Sequence, residues 1–414
     1  MDITNSLKST TMKKQYIILL LVAGLLTFPS ACKKDTTHKT LIITGQNDNN
    51  WKASSPVLKL LLDQTGLFSC DIATAPEKGG DMSKFNPDFS KYKLVVLDYN
   101  GDPWSEKTRA AFLNYVGKGG GVIVYNTANN SFPVWKEYAE ICGLGGWGSR
   151  DGKVGPYIYY KDNKLVTDTS AGTEGSYNKN LEYEIFMCNT EHPITKGLPL
   201  RWIHGDDILY SRLYGPAKNM EILATANTDT TGRGRGKEVP VLMTIRYGKG
   251  RIFQTTLGHA GEGGVLAMQC VGFIVTLQRG AEWAVTGNVT QEVPNDFPNE
   301  AGAVLRSNFK ELTLEDDFAN IGSYNISKST KYFTDLQARI RKASDDPVAL
   351  QKYEKKMVYI LKNTNATVEA KKLMLRELSW MGSEYCKPAV KELVTDADLK
   401  DEAEFALARL QPIQ

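Results

Sequence analysis

The sequence predicts an open α/β fold with a parallel sheet, followed by a small all-α region. Short apolar, β-rich runs alternate with helical segments between residues 40 and 280, and such alternation builds parallel sheets through right-handed crossovers. Several of these runs end in polar loops, and open sheets gather ligands at the carboxyl ends of their strands. From Thr334 onward the pattern is helical throughout.

Taken in order, the chain opens with Lys13-Lys14 before an apolar run, Ile17–Phe28, and then Ser30-Ala31-Cys32. The run is too short to span a bilayer, which needs about 20 residues. It suits the core of a signal peptide. The small residues before Cys32 resemble a lipoprotein signal. The expectation is a signal peptide over 1–31, lipid on Cys32, and a tether over 32–39. The mature protein is then extracytoplasmic and held to a membrane by its anchor. An ordinary secretory signal is the alternative.

The main domain is expected over residues 40–286. TLIIT, Thr40–Thr44, is a strand that runs into the polar loop Gln46–Asn50. Ser54–Gln64 has helical spacing, and Asp71–Thr74 is a second strand. KLVVLD, Lys93–Asp98, is apolar on both faces, as a buried parallel strand is. Ser105 caps the helix that follows. Gly119-Gly120-Gly121 leads into Val122–Tyr125, which ends in Asn126–Asn130. Gly143–Tyr177 reads as a β-rich or irregular insertion. Glu182–Met187 and Met220–Ala226 are strands. Val241–Tyr247 and Arg251–Leu257 flank Gly248-Lys249-Gly250 as a hairpin. His259 then stands at a strand's carboxyl end, beside a Gly-rich turn into a helix over Val265–Gly280. It either acts there or only caps the helix. Residues 287–330, with Pro294 and Pro298, read as a linker. Residues 331–414 read as helices, and Ala366–Leu410 resembles one HEAT-type repeat and the start of another.

Composition narrows the function. The chain has 414 residues, 42% hydrophobic and 23% charged, with a net charge of +3. That balance, with no basic stripe, argues against nucleic acid as a partner. Six cysteines are scattered without CxxC spacing, so neither a zinc ribbon nor a disulfide framework is indicated. The elbow Tyr125-Asn126-Thr127 lacks the Cys nucleophile that amide transfer from glutamine needs. No GxSxG elbow occurs. Gly119–Gly121 precedes its strand and so is not a phosphate loop.

Four histidines occur, His38, His192, His204 and His259. The last three suit acid–base work near neutral pH or metal ligation. With Asp206 they could supply a zinc-like shell for a divalent metal. The alternatives are a structural His-Pro turn at His192 and a satisfied polar pair at His204 and Asp206. Asn126 could orient a sugar hydroxyl or cap a helix.

The assembled pieces resemble the ThuA-like (trehalose-utilisation) family. The matching stretches are Thr44-Gly45, GGGVIVYNTAN at 119–129, WKEYAEICG at 135–143, EHPITKGLP at 191–199, HGDDILY at 204–210 and PVLMTIRYGKGRIFQTTLGH at 240–259. The resemblance implies a flavodoxin-like fold related to class I glutamine amidotransferases. It also implies a role in disaccharide or 3-keto sugar use, with a carbohydrate ligand. In that reading His259 is the general acid or base, His204 and Asp206 form a second pair, and Gln46, Asp98, Asn126 and Tyr210 hold substrate. Trp51, Tyr99, Trp104 and Trp147 are candidates to stack on a sugar ring. Gln46 and Asn126 stand where the family usually has His, so fewer imidazoles are implied. The competing functions are non-catalytic carbohydrate binding, and a protein partner docked on the C-terminal helices.

Overall fold

The computed structural model describes residues 37–146, 153–162, 164–170, 176–227, 237–261, 264–310 and 314–410. The expected signal segment, Cys32 and Trp147 lie outside these residues. No described helix is long and apolar enough to cross a membrane.

The elements follow the order β1 His38–Thr44, α1 Trp51–Asp63, β2 Phe68–Thr74, β3 Leu94–Leu97, α2 Glu106–Gly117, β4 Gly121–Tyr125 and α3 Lys136–Cys142. Next come β5 Tyr157–Lys161, β6 Lys164–Asp168, β7 Ser176–Met187, β8 Arg201–Ser211, β9 Met220–Asn227, β10 Glu238–Tyr247, β11 Gly250–Thr255 and α4 Val271–Thr286. The sheet runs β2-β1-β3-β4-β11-β10-β9-β7-β8, with the β5–β6 hairpin attached to β10. Its first five strands pair in parallel, in the order of a flavodoxin-like sheet. The rest of the sheet is antiparallel, so the sheet is mixed, with the expected parallel α/β arrangement as its core.

Strand alternation divides the core. On β1, Ile42 packs beneath Leu58, Leu61 and Leu62 of α1 and Ile274 of α4. Leu41 and Ile43 point to the other face, with Phe112 and Val116 of α2 and Tyr138 of α3. Period two puts neighbours on opposite faces, and both faces are covered. Ser105 caps α2 through Thr108 N–H.

β8 is the element that sequence patterning missed. Its centre, His204-Gly205-Asp206-Asp207, is polar and poor in β-formers. It pairs with β7 through two register shifts.

The stretch 287–330 is not an open linker. Phe297 packs edge-on against Trp202, Val304 is buried in the domain core, and Asp296 and Arg306 form a buried two-pronged ion pair at 2.6 and 2.7 Å. Prolines mark irregular backbone, not exposure. The first C-terminal helix, α5 Leu314–Gly322, lies inside that stretch. It is followed by α6 Lys331–Lys342, α7 Pro347–Lys362, α8 Val368–Met381, α9 Lys387–Glu392 and α10 Lys400–Arg409. These helices share their own core, including Leu336, Met357, Met374 and Leu378. Asp346 and Thr367 cap α7 and α8.

Candidate active site

The carboxyl ends of β1, β3, β4 and β11 converge on a network of amides and hydroxyls. At its base lies Asp98, fully buried just past β3. Its carboxylate accepts hydrogen bonds from Ser54 Oγ (2.6 Å), Ser55 Oγ (2.8 Å) and Asn47 Nδ2 (3.0 Å). Burial pushes its carboxyl up to about 6 against the opposing pull of these bonds. Asn47 Oδ1 in turn accepts from Thr127 Oγ1 at 2.7 Å and Asn49 N–H at 3.1 Å. Asp98 thus organises the β1 loop from below, rather than facing a ligand.

Above this base sits Asn126, directly after β4, with φ of 46°. Asn is one of the few residues that enter this region readily. Its Nδ2 donates to the Thr256 carbonyl at 3.3 Å, and its Oδ1 accepts from Asn49 Nδ2 at 2.9 Å and Tyr210 OH at 3.2 Å. Tyr210 Oη lies 3.3 Å from His259 Nδ1. His259 Nε2 has no hydrogen-bond partner among the described residues. Burial lowers the His259 pKa, and the nearby Asp207 charge only partly opposes it, so the ring is neutral at pH 7. A neutral, half-buried imidazole with one open nitrogen can accept a proton. Gly261 keeps that nitrogen accessible, because a Cβ there would stand 2.8 Å from Nε2.

The carboxylate behind His259 is Asp207, not Asp206. Asp207 Oδ2 accepts from Gly258 N–H (2.6 Å) and meets His204 Nε2 at 2.8 Å, while Oδ1 accepts from His259 N–H (3.1 Å) and Ile208 N–H (2.7 Å). Asp206 is exposed. The reason is register: β7 residues 181 and 183 face 207 and 204, so β8 carries one extra residue between them. That bulge turns Asp207 onto the His204 side. Both His204 and Asp207 are fully buried. Burial pulls the His204 imidazole down, but the Cys270 sulfur and the Asp207 carboxylate outweigh it and push it up to about 10. Gly258 has φ of 85° and is overlain by the Phe273 ring, so only glycine fits the turn that presents His259.

A family profile described as ThuA, trehalose utilisation, matches residues 39–284. The chain belongs to the ThuA family. Family membership gives the protein a role in trehalose or wider carbohydrate utilisation. A crystal structure of a ThuA-like protein from Parabacteroides merdae is similar at 52% identity and a TM-score of 0.65, covering 67% of this chain and all of that one (100%). A ThuA-like protein from Bacteroides uniformis is similar at 18% identity and a TM-score of 0.41, over 64% of this chain and 97% of that one. No curated protein matches.

Within this ThuA domain the other candidate residues serve the scaffold. Gln46 donates to the Pro76 carbonyl (2.8 Å) and accepts from Asp102 N–H (2.8 Å), so both ends of its amide are taken. His192 accepts from Ile194 N–H at 3.2 Å and packs on Trp283, and burial lowers its pKa. Its turn is tied down by Arg279, which donates to the Pro193, Ile194 and Lys196 carbonyls. No group of three or more His, Cys, Asp or Glu is placed to hold a metal among the described residues. His192, His204, Asp206 and His259 therefore do not form the expected zinc-like shell. Tyr99 and Trp104 are core residues in an aromatic cluster with Phe112 and Phe132, and Trp51 is partly exposed. Asn49, Asp207 and Gly261 escaped sequence reasoning. Gly205 within β8 was the one available signal, since an interior glycine often marks a bulge.

A separate polar concavity of about 320 Å³ lies between β7–β8 and residues 301–302 and 327–329. It lies away from His259 and brings none of the candidate site residues together.

Proposed function

We propose that this ThuA domain binds a disaccharide or 3-keto sugar at the carboxyl edge of its sheet and processes it by proton transfer through His259. The observation that carries the reading is the His259 imidazole itself: neutral, presented by a constrained turn, anchored at Nδ1 and open at Nε2. Asn49, Asn126 and Tyr210 hold the ring from behind through a continuous hydrogen-bonded chain. An unprotonated ring with an open nitrogen fits isomerisation, elimination or hydrolysis of a ketosugar, where a proton leaves carbon or oxygen.

The test is turnover of a 3-keto-disaccharide by the purified chain and by His259→Ala, with folding checked by circular dichroism. Loss of turnover in a folded variant supports the reading. Unchanged turnover removes His259 from the chemistry. A second reading, carbohydrate binding without reaction, is favoured by the withdrawal of His192 and His204 into scaffold roles. Calorimetric binding of the sugar with no product would select it.

We also propose that the protein is an extracytoplasmic lipoprotein anchored through Cys32, on the strength of the Lys13-Lys14, Ile17–Phe28 and Ser30-Ala31-Cys32 pattern. Cys32→Ala should release it from the membrane fraction. Continued membrane retention of the variant would refute the anchor. The helices over 331–414 are proposed as a partner-docking surface, to be tested by co-purification of the full chain.

A further inference from the structure

We infer that the chain Thr256–Asn126–Tyr210–His259 fixes the proton of the neutral His259 ring on Nδ1, leaving Nε2 as the proton acceptor. Tyr210 and Asn126 are then positioning residues, not acids. The catalytic use of this tautomer rests on the carbohydrate reading above; the tautomer itself does not.

The Thr256 carbonyl can only accept, so the Asn126 group facing it at 3.3 Å is the Nδ2 amide. The opposite flip would set two acceptors against each other. Asn126 Oδ1 therefore faces Asn49 Nδ2 and Tyr210 OH. An amide oxygen has no proton to give, so Tyr210 donates its single hydroxyl proton to Oδ1. Asn49 also hydrogen-bonds to Tyr210, and its amide can serve only as a donor there. The Tyr210 oxygen is left with a lone pair toward His259 Nδ1 at 3.3 Å. Nδ1 must then carry the proton. The bond made by one ring nitrogen decides the state of the other.

This arrangement suits proton acceptance without rearrangement. When Nε2 takes a proton, Nδ1–H keeps donating to Tyr210, and every other bond in the chain keeps its direction. The same chain holds the ring plane, while Asp207 holds the main chain on which the ring is carried.

The experiment is long-range ¹H–¹⁵N correlation of the full chain labelled at histidine, recorded above pH 8. With four histidines, loss of one set of signals in His259→Ala assigns the ring. The expected pattern is a protonated-type nitrogen at Nδ1 and a pyridine-type nitrogen at Nε2. In Tyr210→Phe the Nδ1 acceptor is gone, and the pattern should move toward protonation on Nε2. Asn126 Oδ1 keeps Asn49 in that variant, so the fold is expected to survive. A wild-type ring protonated on Nε2 overturns the inference, as does a folded Tyr210→Phe with an unchanged pattern. If the variant does not fold, the wild-type spectrum still decides. An Nδ1–H ring together with no ketosugar turnover would sink the catalytic reading and leave the proton assignment standing.

Discussion

Asp207 holds His259 by its main chain and not by its ring: Oδ1 accepts the His259 N–H at 3.1 Å, and Oδ2 accepts the neighbouring Gly258 N–H at 2.6 Å. The same carboxylate pairs with buried His204. Asp207→Asn puts an amide donor where only donors now point and leaves the His204 charge without its partner. Breaking a buried pair from one side costs about 3–5 kcal/mol. The expected result is a matching fall in denaturation free energy together with loss of sugar turnover. Asp206→Asn, at an exposed position, should stay within about 0.5 kcal/mol of wild type. Equal effects from the two variants would refute the assignment of Asp207.

The His204–Asp207 pair also predicts a pH dependence of stability. His204 is raised from 6.5 to about 10 in the folded state. Between those values the folded protein holds a proton that the unfolded chain has released, so stability falls as pH rises. Its contribution is fully present below pH 6.5 and gone above about pH 10. The slope due to this one proton is about 1.4 kcal/mol per pH unit. Denaturation curves from pH 6 to 10 on wild type and His204→Gln check it, and the variant should lack this component. Activity moves the other way on the acid side. His259 must be unprotonated to act as a base, and its pKa is lowered from 6.5, so the acid-side midpoint of kcat/KM should lie below the ordinary imidazole value.

Gly261→Ala separates the open nitrogen from the fold. The added Cβ would stand 2.8 Å from His259 Nε2, and the ring must shift to make room. A displacement of this kind near reacting atoms can cost about 100-fold in rate. Stability should change by less than about 1 kcal/mol, since Gly261 does not carry a positive φ. A folded Gly261→Ala with wild-type turnover would show that Nε2 is not the reacting face.

How much of this could be read beforehand differs between the two halves of the sheet. β3 and β4 are buried on both faces and are uninterrupted apolar runs, β1 carries the buried run Leu41–Ile43, and their order with α1 and α2 was legible. The β10–β11 hairpin was legible from its glycines. β8 was not, because its polar residues are satisfied by other elements: His204 and Asp207 by one another, and Asp207 also by the Gly258 turn. Period two would pair His204 with Asp206, and the β8 bulge that brings in Asp207 has no signature beyond Gly205. The network of Asn49, Asn126, Tyr210 and His259 spans 210 positions of chain, so folding alone assembles it. His259 itself was legible from its place after β11.

The helical C-terminal region gives the last prediction. Its junction with the ThuA domain is a packed seam. Arg306 grips Asp296 with two bonds, Phe297 packs edge-on against Trp202, and the Tyr332 hydroxyl accepts from Leu305 N–H at 3.2 Å. A chain ending at Asn295 therefore loses Phe297 and Val304 from the domain's own core and exposes the Trp202 and Cys270 surfaces. A chain ending at Lys310 keeps all four of Asp296, Phe297, Val304 and Arg306. Losing two large buried side chains costs about 1.5–3 kcal/mol each, so the shorter chain should be less stable by about 3–6 kcal/mol than the one ending at Lys310. Thermal unfolding of both, followed by circular dichroism, measures the difference. Equal Tm values would mean that residues 296–310 belong energetically to the helices. In the full chain, Arg306→Ala should cost about 3–5 kcal/mol by removing both charged bonds to the buried Asp296 carboxylate, whereas Arg306→Ala with Asp296→Ala should recover part of that loss.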